Sequence, residues 1–141
     1  MFHGLYASGD RSDIIRDNRF VNNTVTGITL DSSDCSLFNN IFDHGQIGLS
    51  LQGIENKVYD NSFENLSSTG ISTITGSQSN IIYLNHFFDN GLNAREQGDN
   101  QWDNDVYGNY WDDYHYVDRN HDGIGDRPYA IATGGLDRYP V

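Results

Sequence analysis

The chain contains a single cysteine, Cys35, so no internal disulfide can form, and a lone cysteine reads as a small buried apolar group. Basic residues are scarce: 8 Lys and Arg stand against 20 Asp and Glu, for a formal charge of −12, and Lys57 is the one lysine. A surface this acidic repels phosphate backbones, which excludes nucleic acid as a partner. No apolar run is long enough to span a membrane. The opening Met1-Phe2-His3-Gly4 lacks the basic start and apolar stretch of a signal peptide. Apolar residues are few, at 36% with a mean hydropathy of −0.62, which is thin for a thick globular core. It suffices for a solenoid, where each repeat buries only a slim stack against its neighbours. The 13% aromatic content argues against disorder.

What is present is a repeat. Asn18-Arg19-Phe20, Asn40-Ile41-Phe42, Asn61-Ser62-Phe63, Asn85-His86-Phe87 and Asn109-Tyr110-Trp111 follow one pattern, with 22, 21, 24 and 24 residues between successive aromatics. Five residues before each aromatic stands Ile15, Leu37, Val58, Ile82 or Val106, and two residues earlier Asp13, Cys35, Asn56, Asn80 or Asn104. Gly4-Leu5, Gly27-Ile28, Gly48-Leu49, Gly70-Ile71 and Ala94-Arg95 mark a third aligned position. Pieces such as Ile28-x-Leu30 and Leu49-x-Leu51 alternate as strands do, and Asn and Gly punctuate them.

The period suits three short strands per turn. The expected fold is therefore all-β: a right-handed parallel β-helix of about five coils, with coil on coil about 4.8 Å apart. Residues 1–107 form the coils; residues 108–141 form the last coil and a C-terminal cap. Phe20 to Trp111 should stack as one inward column. Asn18, Asn40, Asn61, Asn85 and Asn109 should form an amide ladder at a corner, where Asn also tolerates a left-handed backbone. A leucine-rich horseshoe has a repeat of similar length, but no unit here carries its Leu-x-x-Leu-x-Leu run.

From Gly108 the composition changes to Gly-Asn-Tyr-Trp-Asp-Asp-Tyr, then Asp122-Gly123-Ile124-Gly125-Asp126, and finally Asp137-Arg138-Tyr139-Pro140. With the Asn-x-Phe repeats, these segments resemble the NosD-like group of β-helix proteins, also described as carbohydrate-binding and sugar-hydrolase β-helices. The resemblance covers nearly the whole chain and is most specific from Gly108 onward. It implies the β-helix fold and an envelope or extracellular setting, with this chain a segment of a longer exported protein. One member of the group is associated with copper supply to nitrous oxide reductase.

The tail also reads on its own terms. Asp118, Asn120 and Asp122, followed by Gly123, match the first half of a calcium loop, in which alternate oxygens point at one centre. The carbonyl of Ile124 and the carboxylate of Asp126 fall at the next two ligand positions. Tyr129 stands where a bidentate Glu belongs, so remaining oxygens must come from Asp112, Asp113, Asp137 or water. The alternative is an Asp-Gly turn with solvated charges. The tail aromatics Tyr110, Trp111, Tyr114, Tyr116 and Tyr129 either cover the last coil or offer a sugar-stacking platform; covering is the better reading, because an open coil end exposes strand edges.

Catalytic chemistry is poorly represented. His3, His44, His86, His115 and His121 share no column, and Met1 is the one methionine, so copper ligation has little support. Asp10, Asp13, Asp31, Asp34 and Glu55 gather with Arg11 at one turn and read as solvated. Asp112 and Asp113 are adjacent, and on an extended chain their side chains diverge. The expectation is a non-enzymatic module for adhesion or carbohydrate contact, stiffened by Ca2+. Its rivals are a subunit that self-associates head to tail into a fibre, a polysaccharide lyase, hydrolase or epimerase, and a copper-maturation accessory.

Overall fold

The structure, a computed structural model, describes residues 3–141. The first coil is β1 (His3–Arg11), β2 (Ile14–Arg16) and β3 (Arg19–Val21). The second is β4 (Thr26–Ser33), β5 (Ser36–Phe38) and β6 (Ile41–Asp43). The third is β7 (Ile47–Leu51), β8 (Lys57–Tyr59) and β9 (Ser62–Glu64), and the fourth β10 (Thr69–Thr73), β11 (Gln78–Tyr83) and β12 (His86–Phe88). The fifth is β13 (Leu92–Arg95), β14 (Asp99–Gln101) and β15 (Tyr110–Trp111), so the 107/108 boundary falls inside it. A short antiparallel hairpin closes the chain, β16 (Tyr129–Ala130) against β17 (Leu136–Asp137).

Strands at the same place in successive coils pair in parallel, giving three sheets of five strands each: β1-β4-β7-β10-β13, β2-β5-β8-β11-β14 and β3-β6-β9-β12-β15. The fold is a parallel β-helix, and no helix occurs among the described residues. In the first sheet Leu5, Ile28, Leu49, Ile71 and Ala94 are in register, beside Ala7, Leu30, Leu51 and Thr73. In the second, Ile15, Leu37, Val58 and Ile82 line up. The third carries the aromatic column. Phe20, Phe42, Phe63, Phe87 and Trp111 stack face to face, with centroid separations of 5.1, 4.7, 5.2 and 4.4 Å. Removing one such buried ring costs about 3–5 kcal/mol. Gly48 shows how tightly the coils close on this column: a Cβ there would lie 2.6 Å from the Phe63 ring and 2.7 Å from the Gly70 carbonyl.

Three details of the repeat differ from the sequence reading. The fifth coil places Asn100 and Trp102, not Asn104 and Val106, in the second-sheet columns, since Gln101 pairs with Ile81. Trp102 is buried, whereas Val106 is half-exposed on the longer connection from β14 to β15. Ala94, not Arg95, continues the Ile71 column. The ladder asparagines do not themselves take the left-handed backbone. That falls to the residue before each of the first four, Asp17, Asn39, Asp60 and Leu84, with φ of 59°, 53°, 53° and 53°. The ladder position is selected for its amide.

Each ladder Asn gives both its backbone N–H and its Nδ2–H to the Oδ1 of the Asn one coil on. The distances are 3.1 and 3.1 Å from Asn18 to Asn40, 3.0 and 3.0 Å from Asn40 to Asn61, 3.0 and 3.0 Å from Asn61 to Asn85, and 3.1 and 3.0 Å from Asn85 to Asn109. Nδ2 also reaches a carbonyl one coil back, as from Asn61 to Leu37 O at 2.9 Å. Asn40, Asn61, Asn85 and Asn109 are all buried, so none of these bonds is replaced by water on truncation. Asn61→Ala should therefore lower stability by about 1–3 kcal/mol in urea unfolding. An unchanged midpoint would contradict this description of the corner.

Candidate functional site

Three buried acids, Glu96, Asp103 and Asp137, lie at the C-terminal end of the helix, where the tail folds back over the fifth coil. Because each ladder Asn donates forward, the last one has N–H groups with no Asn beyond it. Asp137 meets them. Its Oδ2 accepts the Asn109 backbone N–H at 2.6 Å and the Trp111 indole N–H at 2.8 Å, and its Oδ1 accepts Tyr139 N–H at 3.0 Å. Gly108 makes room for it: a Cβ there would sit 1.7 Å from Asp137 Oδ1.

The same device recurs at the other corners. A second ladder runs from Asn56 to Asn80 to Asn100, with Nδ2–Oδ1 distances of 2.9 and 2.7 Å. Cys35 occupies its first place, and burial pushes the thiol pKa up. At its far end Glu96 accepts Asn100 Nδ2 at 2.8 Å and the Trp102 indole at 2.7 Å. At the third corner Asn90 donates to Asn93 at 3.1 Å, and Asn93 Nδ2 to Asp112 at 2.8 Å and Asp113 at 3.0 Å. These adjacent acids converge on one amide, contrary to the divergence expected of an extended chain, because the backbone turns after β15.

The tail aromatics serve the cap. Tyr129 stacks on Trp111 at 4.2 Å and prolongs the aromatic column, while its hydroxyl donates to Asp113 at 3.0 Å. Burial and the nearby Asp113 raise its pKa. Arg138 holds the buried Asp103 through Nε at 2.9 Å and its own backbone N–H at 3.1 Å. Burial opposes ionisation of Asp103, but the Arg138 bonds win and lower its pKa.

The residues singled out for calcium occupy one exposed loop. Asp118 accepts the N–H of Gly123 at 2.9 Å and of Asp122 at 3.3 Å. Asp122 accepts Ile124 N–H and Asn120 Nδ2, both at 2.8 Å. Asp126 accepts Arg119 N–H at 3.3 Å. Asp112, Asp113 and Asp137 are engaged in the cap, which leaves water to complete any coordination. Asp31, Asp34 and Glu55 are exposed around one corner. The side chains of Asp10 and Arg11 lie outside the described set.

Copper fits poorly. Among the described residues no three His, Cys, Asp or Glu side chains are grouped to hold a metal. His44 bonds Asp43 at 2.5 Å, His86 stacks on Tyr110 at 4.6 Å, and Cys35 is buried in the core. Asn65, His44 and Arg19 together hold the Asp43 pKa below the usual carboxylate value against the effect of burial. Met1 lies outside the described residues.

A groove of about 540 Å3 runs along the corner between the second and third sheets. Asn39, Asp60 and Leu84 form its corner side; Ile41, Ser62, His86 and Tyr110 form its sheet side. Leucine is a poor left-handed residue, disfavoured by roughly 1–2 kcal/mol. Yet Leu84 takes φ 53° where the earlier coils use Asp17, Asn39 and Asp60.

The cap sets the pH dependence. Burial pushes the Asp137 carboxyl up to about 6, against the pull of its N–H donors. The folded state therefore binds this proton more tightly than the unfolded chain, and the associated stability is full below the unfolded pKa and lost as pH rises through about 6. Asp103 and Asp43 act oppositely: their contribution is present above the unfolded value and lost as pH falls through their lowered pKa values. Urea unfolding should thus show greatest stability near pH 4, a decline between about pH 4 and 6, and a level stretch above 6 as far as these groups decide it. Asp137→Ala should flatten the decline between about pH 4 and 6 and leave the acid arm; an unchanged decline would contradict the assignment.

The family described as periplasmic copper-binding protein (NosD) matches residues 1–116, stopping short of the acidic loop. A probable ABC transporter binding protein NosD from Stutzerimonas stutzeri is 41% identical over 85 residues, covering 59% of this chain and 19% of the relative. The protein of the same description from Pseudomonas aeruginosa is 39% identical over 88 residues, with the same shares of 59% and 19%. The matched region thus spans about a fifth of the length of these relatives. With the five Asn-x-aromatic coils all inside the matched residues, the chain belongs to the NosD family.

Proposed function

We propose that this chain is a non-enzymatic β-helix module of the cell envelope that contacts carbohydrate through the corner groove and binds calcium in the tail loop. The envelope setting follows the periplasmic description of its family. The observation that carries the glycan reading is the strained Leu84. It places an apolar side chain among Ile41, His86 and Tyr110, while Asn39, Asp60 and Ser62 supply polar atoms alongside. Apolar surface with a few polar groups suits the C–H faces and hydroxyls of a sugar, and the volume is in the range of small-molecule sites. Copper carriage is not assigned to this chain, because His44, His86 and Cys35, side chains suited to copper, lie apart and are engaged elsewhere. Head-to-tail self-stacking would first have to displace the tail from Asp103, Trp111 and Asn109.

Calcium is supported by four oxygen-bearing side chains, Asp118, Asn120, Asp122 and Asp126, within one nine-residue loop. Binding to the folded state adds RT ln(1 + [Ca]/Kd), or about 2.7 kcal/mol at a hundredfold excess.

A glycan array probed with and without millimolar calcium, alongside thermal melts, tests both parts. The expected result is glycan binding that falls about tenfold in Leu84→Asn, a change that also raises stability by about 1 kcal/mol by relieving the left-handed leucine. Chelation should lower the melting temperature of the parent but not of Asp122→Ala. No glycan bound, or binding indifferent to Leu84→Asn, would remove the carbohydrate reading. A melt unmoved by chelator would remove the calcium reading.

A further inference from the structure

The tail carries a second hollow, of about 400 Å3, lined by His115, Tyr116, Val117, Arg119, Asp126 and Arg127. Its charge runs against that of the chain. Only 8 Lys and Arg are available against 20 acids, and two of those bases meet here beside one of the 5 histidines. Arg127 has no carboxylate in ion-pair range among the described residues, although Asp126 immediately precedes it. Its guanidinium instead lies 5.1 Å from the centroid of the Tyr116 ring. Its backbone is clamped by one hydroxyl: Tyr114 Oη donates to the Arg127 carbonyl at 2.6 Å and accepts the Arg127 N–H at 3.3 Å. Arg119 reaches Asp126 only at 3.9 Å, and its side chain is 84% exposed. The hollow therefore holds one unpaired cation on a fixed backbone and one loosely paired cation, against a single carboxylate.

We propose that this hollow is a binding site for a small carboxylate ligand. A carboxylate is planar and takes two parallel N–H bonds from a guanidinium fork, and Arg127, with its backbone fixed by Tyr114 and its guanidinium over the Tyr116 ring, presents one. Tyr116 and Val117 add apolar surface for the body of the ligand. A long polyanion is disfavoured by the −12 charge of the whole chain, so the ligand carries one or few charges. A uronic acid unit and a free organic acid share this chemistry. The site is separate from the corner groove but shares Asp126 and Arg119 with the loop proposed for calcium, so calcium is kept out of the test.

The test is an amide NMR titration of the full chain in chelator, using galacturonate, galactose, citrate and phosphate as probes. Galacturonate should shift the signals of residues 115–119 and 126–127 saturably, with a dissociation constant of the order of millimolar, and galactose should not. Citrate matching galacturonate identifies a free acid site; galacturonate alone identifies a uronate site; both support a carboxylate pocket. Arg127→Gln should weaken binding about tenfold, and Arg119→Gln less, with the remaining spectrum unchanged. Both arginines are exposed, so neither substitution touches the core. No saturable shift up to about 50 mM, equal shifts with galactose, tighter binding of phosphate than of either acid, or undiminished binding to Arg127→Gln would each overturn the proposal.

Discussion

An asparagine side chain has a donor end and an acceptor end, and stacking it coil upon coil gives the ladder a direction. In this protein the donors face the C-terminus at every step of the Asn18–Asn109 ladder. The two ends of the helix are therefore chemically different. At the N-terminal end the spare group is the Oδ1 of the exposed Asn18, an acceptor that water satisfies. At the C-terminal end the spare groups are buried N–H donors, and leaving these unmet would cost about 1–3 kcal/mol each. Another Asn would only pass the problem on. Carboxyl groups, which bring no N–H of their own, end it: Asp137, Glu96, and Asp112 with Asp113.

Much of the tail follows from this constraint. To bring Asp137 onto Asn109 the chain must return across the coil end, and the returning segment supplies Tyr129 to cover Trp111 and Arg138 to hold Asp103. The same carboxyls take the indole N–H groups of Trp102 and Trp111, so the large rings can close the apolar columns without stranding a donor. The Gly108 and Asp-x-Tyr-Pro elements are explained together, since Asp137 fits only where Gly108 has no Cβ. The loop from Asp118 to Asp126 and the Arg127 hollow lie outside this framework, on the exposed part of the tail. There, binding chemistry can change at small cost to the fold.

The coils were legible in the sequence because one residue type, at a nearly constant interval, does the same thing five times. The Asn and Phe columns fall where the spacing placed them. The fifth coil was misread where its connection lengthens: Trp102 precedes Trp111 by nine residues, whereas Ile82 precedes Phe87 by five. A fixed offset from the aromatic then lands on Val106 rather than Trp102. That the tail aromatics cover the last coil was legible, as Tyr129 on Trp111 shows, but the carboxyls that end the ladders were not. Glu96 and Asp137 look like any other acids among twenty, and Asp137 meets its partners 28 and 26 residues away. What could have pointed to them is logical rather than statistical: a ladder of amides with a direction requires an acceptor at one end.

The two tryptophans offer the most direct test of that requirement, because each reports one cap through a single indole N–H signal. Hydrogen exchange of these two signals in the parent, Asp137→Ala and Glu96→Ala should separate the caps. The account predicts that both are strongly protected in the parent, that Asp137→Ala exposes Trp111 while sparing Trp102, and that Glu96→Ala does the reverse. Indoles that exchange at the solvent rate in the parent, or a Trp111 signal indifferent to loss of Asp137, would contradict it.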